Sequence, residues 1–178
     1  MFHKVSQSVI DAALVRLADP LTGFNPTWDA ATAYYPGVDA GYFNTDFTDK
    51  SKNFVQAQVS PDFLEQSSIF SYPLLCLYVL ESTNANTQKF NQFSGAVRLV
   101  LEGFLSWQNI LGKQNYEKFG NCLESTVVDI FNRVENQNWP NPVVYNGHVT
   151  CKRGPVTMAG QNWRQRVGFS LLFEAHTG

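Results

Sequence analysis

The stretch NWRQRVGFSLLFEAHTG, residues 162–178, decides the fold because apolar side chains alternate there with polar or small ones. Val167, Phe169, Leu171 and Phe173 form the apolar set, and arginines and a histidine extend the polar set. A period of two places successive side chains on opposite faces, so the stretch predicts one long, half-buried β-strand. A free edge of this length would pair with other chains. We therefore expect the strand to lie between neighbouring strands or to be used in assembly.

The rest of the chain alternates between helical and strand periods. Helical spacing of apolar residues predicts an amphipathic helix at residues 5–18 and a second, longer one at 114–134. Ser60 and Pro61 predict the start of a short helix, because serine caps helices and proline suits their first turn. Strand patterns occupy residues 53–60, 71–82 and 93–107. An Asn146-Gly147 pair predicts a hairpin. A second turn is predicted at residues 152–155, and a short segment follows it before the final strand.

Residues 21–52 show no sustained period and are dense in glycine, proline, asparagine, aspartate and aromatic residues. We predict a long loop. Its aromatic side chains are too many for a mobile linker, so we expect them to pack on the core or on another subunit.

These elements together predict an α+β fold, with a mostly antiparallel sheet packed against one long helix and an N-terminal helix. The 178 residues suit a single domain spanning residues 1–178.

The composition is rich in aromatic residues and poor in charge. Aromatic residues make up 14% and charged residues 16%, against about a quarter charged in an average soluble chain. A subunit that is partly buried against other subunits has such a surface, but the many neutral polar residues could equally supply it.

The net charge of −2 argues against a duplex-binding domain. The charge is unevenly distributed: residues 1–49 hold two basic against six acidic residues, a net −4, whereas residues 142–178 hold four basic against one acidic residue, a net +3. The two regions either lie together in one subunit or meet across a head-to-tail contact between subunits.

The sequence offers no catalytic or metal site to nominate. Cys76, Cys122 and Cys151 stand far apart, which predicts buried thiols in a reducing compartment and not a zinc or disulfide framework. No signal peptide or membrane span is expected. Nucleotide, acyl-transfer, zinc-protease and calcium motifs are not found, and Asp39, Asp46 and Asp49 match turn residues better than a cation site.

Arg164 and Arg166 beside Trp163 form the most suggestive group. Two arginines on one strand face with an indole could hold phosphates and stack on a base. A solvated strand face or a salt bridge between subunits is the alternative that we favour, because two arginines are too few for a nucleic-acid footprint.

The order of elements, ending in the strand WRQRVGFSLLFEAHT, resembles that of tail-terminator (tail-completion) proteins of long-tailed bacteriophages, and more widely of phage neck proteins. The similarity covers most of the chain and rests on element order and the charged, aromatic terminal strand, not on a catalytic motif. The resemblance places the terminal strand within the sheet and residues 21–52 at a contact between subunits or rings.

The resemblance implies a virion structural protein with no enzymatic activity and no cofactor. Its copies are expected to form a hexameric ring on the end of the tail tube, stop tube polymerisation and dock to the head-side connector. The expected partners are other copies, the tube protein, the connector and genomic DNA that passes through without sequence-specific binding; no membrane is involved. Assembly is expected in the host bacterial cytoplasm.

Ten residues are candidates for the contacts with other subunits or partners. They are Trp163, Arg164, Arg166, Lys152, Arg153, Trp28, Tyr34, Tyr35, Asp46 and Asp49. Because residues 21–52 are long for a minimal terminator, a head-closure role remains an alternative. An enzyme of unknown type and a small ligand-binding α+β module with a deep apolar cavity are the competing classes.

Overall fold

A computed structural model describes residues 2–85, 93–108, 115–133 and 137–176. The described part has four α-helices and a six-stranded sheet, so the predicted α+β fold is confirmed. The helices are α1 (Phe2–Leu17), α2 (Phe24–Thr32), α3 (Pro61–Gln66) and α4 (Asn115–Asn132). The strands are β1 (Phe54–Val55), β2 (Leu74–Asn84), β3 (Ser94–Gln108), β4 (Val143–Arg153), β5 (Thr157–Ala159) and β6 (Asn162–His176).

The sheet is mixed but mostly antiparallel. The strand order is β1-β2-β3-β6-β4, and β5 also pairs with β6. Only β1 runs parallel to its neighbour, β2, and the other pairings between described strands are antiparallel. As formed by the described strands, the sheet is open.

The terminal strand β6 lies between neighbouring strands of the sheet, which is the first of the two placements expected for it. All 15 of its residues are paired with β3, from Asn162 opposite Gln108 to His176 opposite Ser94. On its other side β6 pairs with β4 and then with β5. The strand is therefore an integral part of the chain's own sheet.

One face of the sheet carries the main core. The apolar residues of β6, Phe169, Leu171 and Phe173 among them, are at most 1% exposed and share one cluster with Leu99 and Leu101 of β3. Helix α4 covers this face because its apolar residues recur every three or four positions. Its buried members are Phe119, Cys122, Leu123, Val127, Ile130 and Phe131. Helices α1 and α2 contribute to the same cluster.

The opposite face is covered only in part. A second, smaller cluster packs Leu64 of α3 and Val59 on Leu74, Cys76 and Phe104 of the sheet. Helix α3 begins as predicted: the Ser60 side chain accepts a hydrogen bond from the Phe63 amide at 3.2 Å, and Pro61 occupies the first turn. We call this side of the sheet the open face.

The predicted loop at residues 21–52 contains regular structure, so that prediction is wrong in part. Helix α2 and a 3₁₀ turn, Ala40–Tyr42, lie within it. Trp28 is fully buried, and its indole Nε1 donates to the Ala40 carbonyl at 3.0 Å. Its ring contacts Phe43 and Phe119. Many aromatic residues of this segment therefore pack on their own core, one of the two environments expected for them.

The predicted hairpin at Asn146-Gly147 is also wrong. Strand β4 continues through this pair, and its register against β6 shifts between Tyr145 and Val149. Gly147 has φ of +79° and the Asn146 side chain accepts from the His148 amide, so the Asn-Gly chemistry makes a bulge here and not a chain reversal.

Two further predictions need adjustment, and a third falls outside the described residues. The predicted strand at 53–60 is reduced to the two residues of β1. Cys76 and Cys122 are buried as expected, but Cys151 is only half-buried. The predicted ends of the long helix, Gln114 and Val134, lie outside the described residues.

Replacing Phe169 tests the central position of β6. We expect Phe169→Ala to lower the free energy of unfolding by about 3–5 kcal/mol, because it leaves a cavity in the main core. Ser170→Ala, one position along on the open face, should change it by less than about 1 kcal/mol. Urea unfolding followed by circular dichroism measures both, and equal effects would contradict the alternation of faces.

Candidate functional site

A groove of about 530 Å³ lies on the open face between α3 and the chain that links β4 to β5. Three of the predicted contact residues, Lys152, Arg164 and Arg166, line it. Their positions follow from the period of the strands, because Arg164 and Arg166 are two residues apart on β6 and Lys152 is paired with Gly168. We call this feature the arginine groove.

Arg166 is bound to a buried carboxylate. Its Nε donates to Oε1 of Glu102 on β3, whose side chain is only 5% exposed, and the Tyr78 hydroxyl donates to Oε2 at 3.3 Å. The guanidinium also lies 5.5 Å from the ring centre of Phe104. The hydrogen bond to Glu102 raises the pKa of Arg166, and burial, with the nearby Glu102 charge, raises the pKa of Tyr78 to about 12. At neutral pH the guanidinium is charged and the phenol is protonated.

Arg164 joins the terminal strand to α3. It forms an ion pair with Glu65, which lies 99 positions earlier in the sequence, and its guanidinium lies 5.1 Å from the ring centre of Tyr72. Its Nε atom is buried and has no hydrogen-bond partner among the described residues. The pair therefore holds the segment around α3 against the sheet and forms one wall of the groove.

Lys152 differs from the two arginines. It is exposed, and within the described residues it makes no ion pair. Because Glu65 and Glu102 neutralise the arginines, the groove offers one unpaired positive charge beside aromatic rings.

Arg153 and Trp163 lie on the opposite side of the sheet. Arg153 donates to Glu117 at 2.7 Å and to Asn121 at 2.9 Å, and it is also paired with Glu124, all on α4. Burial alone would lower the pKa of Arg153, but the hydrogen bonds to Glu124 and the Cys151 thiol outweigh it and raise that pKa. Arg153 thus ties β4 to the long helix.

The expected grouping of Trp163 with the two arginines is wrong. Its ring centre lies 5.4 Å from that of Tyr116 on α4, on the helix-covered face, whereas Arg164 and Arg166 lie on the open face. An odd-numbered residue of β6 cannot share a face with even-numbered ones in a regular strand. The indole is therefore not positioned to stack on a base held by these arginines.

The remaining candidates, Tyr34, Tyr35, Asp46 and Asp49, do not line the arginine groove and make other contacts. Tyr35 shares a 3.0 Å hydrogen bond with Ser125 of α4, while Tyr34 is 84% exposed. Both line a second groove between α2 and α4. Asp46 accepts from the Thr48 hydroxyl at 3.0 Å, and Asp49 is exposed near β1.

The acidic and basic regions of the sequence do not neutralise each other within the described residues. Three of the four basic residues of 142–178, Arg153, Arg164 and Arg166, form ion pairs with Glu65, Glu102, Glu117 and Glu124. No ion pair there involves an aspartate of residues 1–49. Asp19, for example, accepts backbone hydrogen bonds from Thr22 and Leu21, which lower its pKa.

The described residues contain no group of three or more histidine, cysteine or acidic side chains placed to hold a metal ion. In the same part of the chain, no helix has the length and apolar character needed to cross a membrane. No protein-family model matches the sequence, and no curated protein matches it either.

Glu65, Glu102 and Tyr72 contact the arginines of the groove, and the sequence analysis did not single them out. Glu102 offered one signal, since it is an acidic residue inside a strongly apolar strand, and such a residue needs a partner when buried. Its partner could not be identified without the register between β3 and β6. Glu65 and Tyr72 gave no comparable signal.

Comparing two glutamates tests this description of the groove. Glu102→Ala should lower the free energy of unfolding by about 1–3 kcal/mol, because it leaves Arg166 and Tyr78 without their acceptor. Glu65→Ala should cost at most about 1 kcal/mol, because Glu65 is half exposed and water screens its pair with Arg164. Urea unfolding at low and high salt measures both, and a larger loss for Glu65→Ala would contradict the assignment.

The raised pKa of the Cys76 thiol leads us to expect that the free energy of unfolding falls at alkaline pH. Burial and the neighbouring Glu102 raise the pKa of its thiol from 9.0 to about 12. Between these values the folded chain keeps a proton that the unfolded chain loses, so the stabilisation present below pH 9 falls as pH rises towards 12. In Cys76→Ala the free energy of unfolding should fall less steeply over this range than in the native chain. Parallel pH curves would contradict the prediction.

Proposed function

We propose that the protein is a virion structural protein of a long-tailed bacteriophage that forms a ring at the end of the tail tube. In this role it ends tube polymerisation and joins the tail to the head connector. The observation that carries the proposal is the order of elements: an N-terminal helix, an antiparallel strand pair, a long helix and a set of strands ending in β6. The resemblance to tail-terminator proteins rests on this order, although helix α2 lies in the predicted loop and the continuous strand β4 stands in place of the predicted hairpin.

The charge distribution supports contacts between copies. The aspartates of residues 1–49 and the basic residues of 142–178 make no ion pairs with each other in the described part of one subunit. A head-to-tail contact between copies joins surfaces of opposite charge, and a contact of this kind closes into a ring when its rotation allows. Of the two arrangements expected from the sequence, the contact between copies is the one we propose.

The same charges argue against sequence-specific or tight binding of DNA. Arg153, Arg164 and Arg166 are already paired with glutamates, and the net charge of the chain is −2. A ring built from such subunits would let genomic DNA pass without sequence-specific binding, because it lacks a concentrated positive field. The partners we propose are other copies in a hexamer, the tube protein and the connector, with assembly in the host bacterial cytoplasm.

The arginine groove favours a second candidate, a small ligand-binding α+β module. Its volume of about 530 Å³ falls within the usual range for ligand sites, and aromatic rings line it. Ligand binding would be retained in a monomer, whereas the proposed role requires assembly. A head-closure protein remains a variant of the main proposal, since it would also form part of the neck.

Imaging and native mass spectrometry of phage tails test the proposed function. We expect the protein at the head-proximal end of the tail, in a closed ring that native mass spectrometry of released complexes identifies as a hexamer. A phage lacking the protein should make tubes of uncontrolled length, because nothing caps the growing end. A protein that stays monomeric and is missing from tails and necks would contradict the proposal.

A further inference from the structure

Both edges of the sheet have segments with no strand beside them in the described part of the chain. On one side β1 pairs only with Leu75 and Cys76, so the later part of β2 has an open side. On the other side β4 pairs with β6 alone. We define the β2 edge as residues 81–83 and the β4 edge as residues 150–152. The bulge of β4 ends at Val149, so the residues of the β4 edge lie in the regular part of the strand.

The backbone of the β4 edge points hydrogen-bonding groups outward at alternate residues. The Gly154 amide donates to the Arg166 carbonyl at 2.8 Å, so Gly154 belongs to a hydrogen-bonded pair with β6. In an antiparallel ladder such pairs alternate with non-bonded ones. Lys152 and Thr150 therefore bond to β6, whereas Cys151 and Val149 direct their amide and carbonyl groups away from the sheet.

The β2 edge follows the same rule. The Ala85 amide donates to the Ser94 carbonyl at 2.8 Å, which makes Ala85 a bonded partner of β3. Thr83 and Glu81 then bond to β3, and Ser82 directs its backbone groups outward. Ser82 on the β2 edge and Cys151 on the β4 edge thus each direct an amide and a carbonyl away from the sheet, so the two residues could form a hydrogen-bonded pair.

The direction of the strands allows the two edges to join. Strand β2 is antiparallel to β3, β3 to β6 and β6 to β4, so β4 runs opposite to β2. If a second copy continued the sheet beyond β4, its β2 would therefore be antiparallel to β4. The joined strands would continue the antiparallel order of the β2-β3-β6-β4 part of the sheet.

Charge complementarity favours a second copy as the occupant of these edges. Glu81 lies on the open face, where its carboxylate is 3.9 Å from Arg98, and its side chain is 63% exposed. Lys152 lies on the same face at the opposite edge and lines the arginine groove. Each copy therefore carries an exposed acid at one edge and an unpaired cation at the other.

We propose that the β4 edge of one copy pairs with the β2 edge of a second copy, with Lys152 opposite Glu81 and Cys151 opposite Ser82. This interface rests on the proposed function, because a head-to-tail contact of this kind repeats from copy to copy around a ring. The register also brings Thr150 opposite Thr83 on the open face, a pair that stabilises antiparallel sheets.

The register is specific. A shift by one residue would place the outward groups of Cys151 opposite residues bonded to their own sheet, and would put Lys152 and Glu81 on different faces. A shift by two residues would preserve the backbone match but separate the opposite charges along the strands.

Cysteine cross-linking tests the interface. Antiparallel residues in a hydrogen-bonded pair have Cα atoms about 5.5 Å apart, which a disulfide can span. Ser82→Cys should therefore link to the native Cys151 of the next copy when assembled tails are oxidised. On a non-reducing gel the main band of this variant should shift from monomer to dimer and larger species.

Two control variants isolate the register. Thr83→Cys places a thiol on the opposite face from Cys151, and Ser82→Cys combined with Cys151→Ser removes the native partner; neither should produce the shift. Ser82 and Thr83 are exposed, and Cys151→Ser replaces a half-buried thiol with a side chain of similar size, so circular dichroism should show a native fold for all three variants.

The outcomes separate the interface from the proposed function. A ring on the tail without cross-linking of Ser82→Cys would overturn the interface and leave the ring intact. Cross-linking of Ser82→Cys to a different protein would also overturn it, since the occupant would not be a second copy. A protein that never assembles on tails would overturn both the interface and the proposed function.

Discussion

The structure depends on the insertion of β6 between β3 and the β4–β5 edge. This strand pairs over 15 residues with β3 and buries large apolar side chains, each contributing about 1.5–3 kcal/mol when fully buried. Its neighbour β3 ends at Gln108, more than fifty positions before β6 begins, so the central pairing joins distant parts of the chain. The sheet cannot be completed until the last strand is present, and such non-local pairing is slow to form.

The same alternation in β6 builds both faces of the molecule. Phe169, Leu171 and Phe173 complete the core beneath α4, while Arg164 and Arg166 project into the groove on the open face. The core and the arginine groove are therefore not independent features, since one register between β3 and β6 sets them both. Because β6 is paired on both sides, contacts with other copies through the sheet must use its outer strands, and we place the proposed contact at β2 and β4.

Much of the fold could be predicted from the sequence in segments where a regular spacing of apolar residues continues over many positions. The alternation of β6 and the helical spacing of α4 each extend over several turns or pairs, so local sequence and tertiary packing agree. Short elements were harder to predict: α2 has only nine residues and contains a proline, and Asn146-Gly147 formed a bulge because the same backbone chemistry serves bulges and hairpins. The groove was only partly predictable, since the arginines were conspicuous but their partners Glu65 and Glu102 depend on tertiary contacts.

The central claim is that each subunit is complete with β6 inside its own sheet and contacts other copies through its edges. Hydrogen exchange, measured on the free chain and on assembled tails, tests this most directly. We predict that the amides of β6 exchange slowly in both states, whereas those of Ser82, Val149 and Cys151 exchange quickly in the free chain and slowly after assembly. Rapid exchange along β6 in the free chain, with protection only after assembly, would contradict the account.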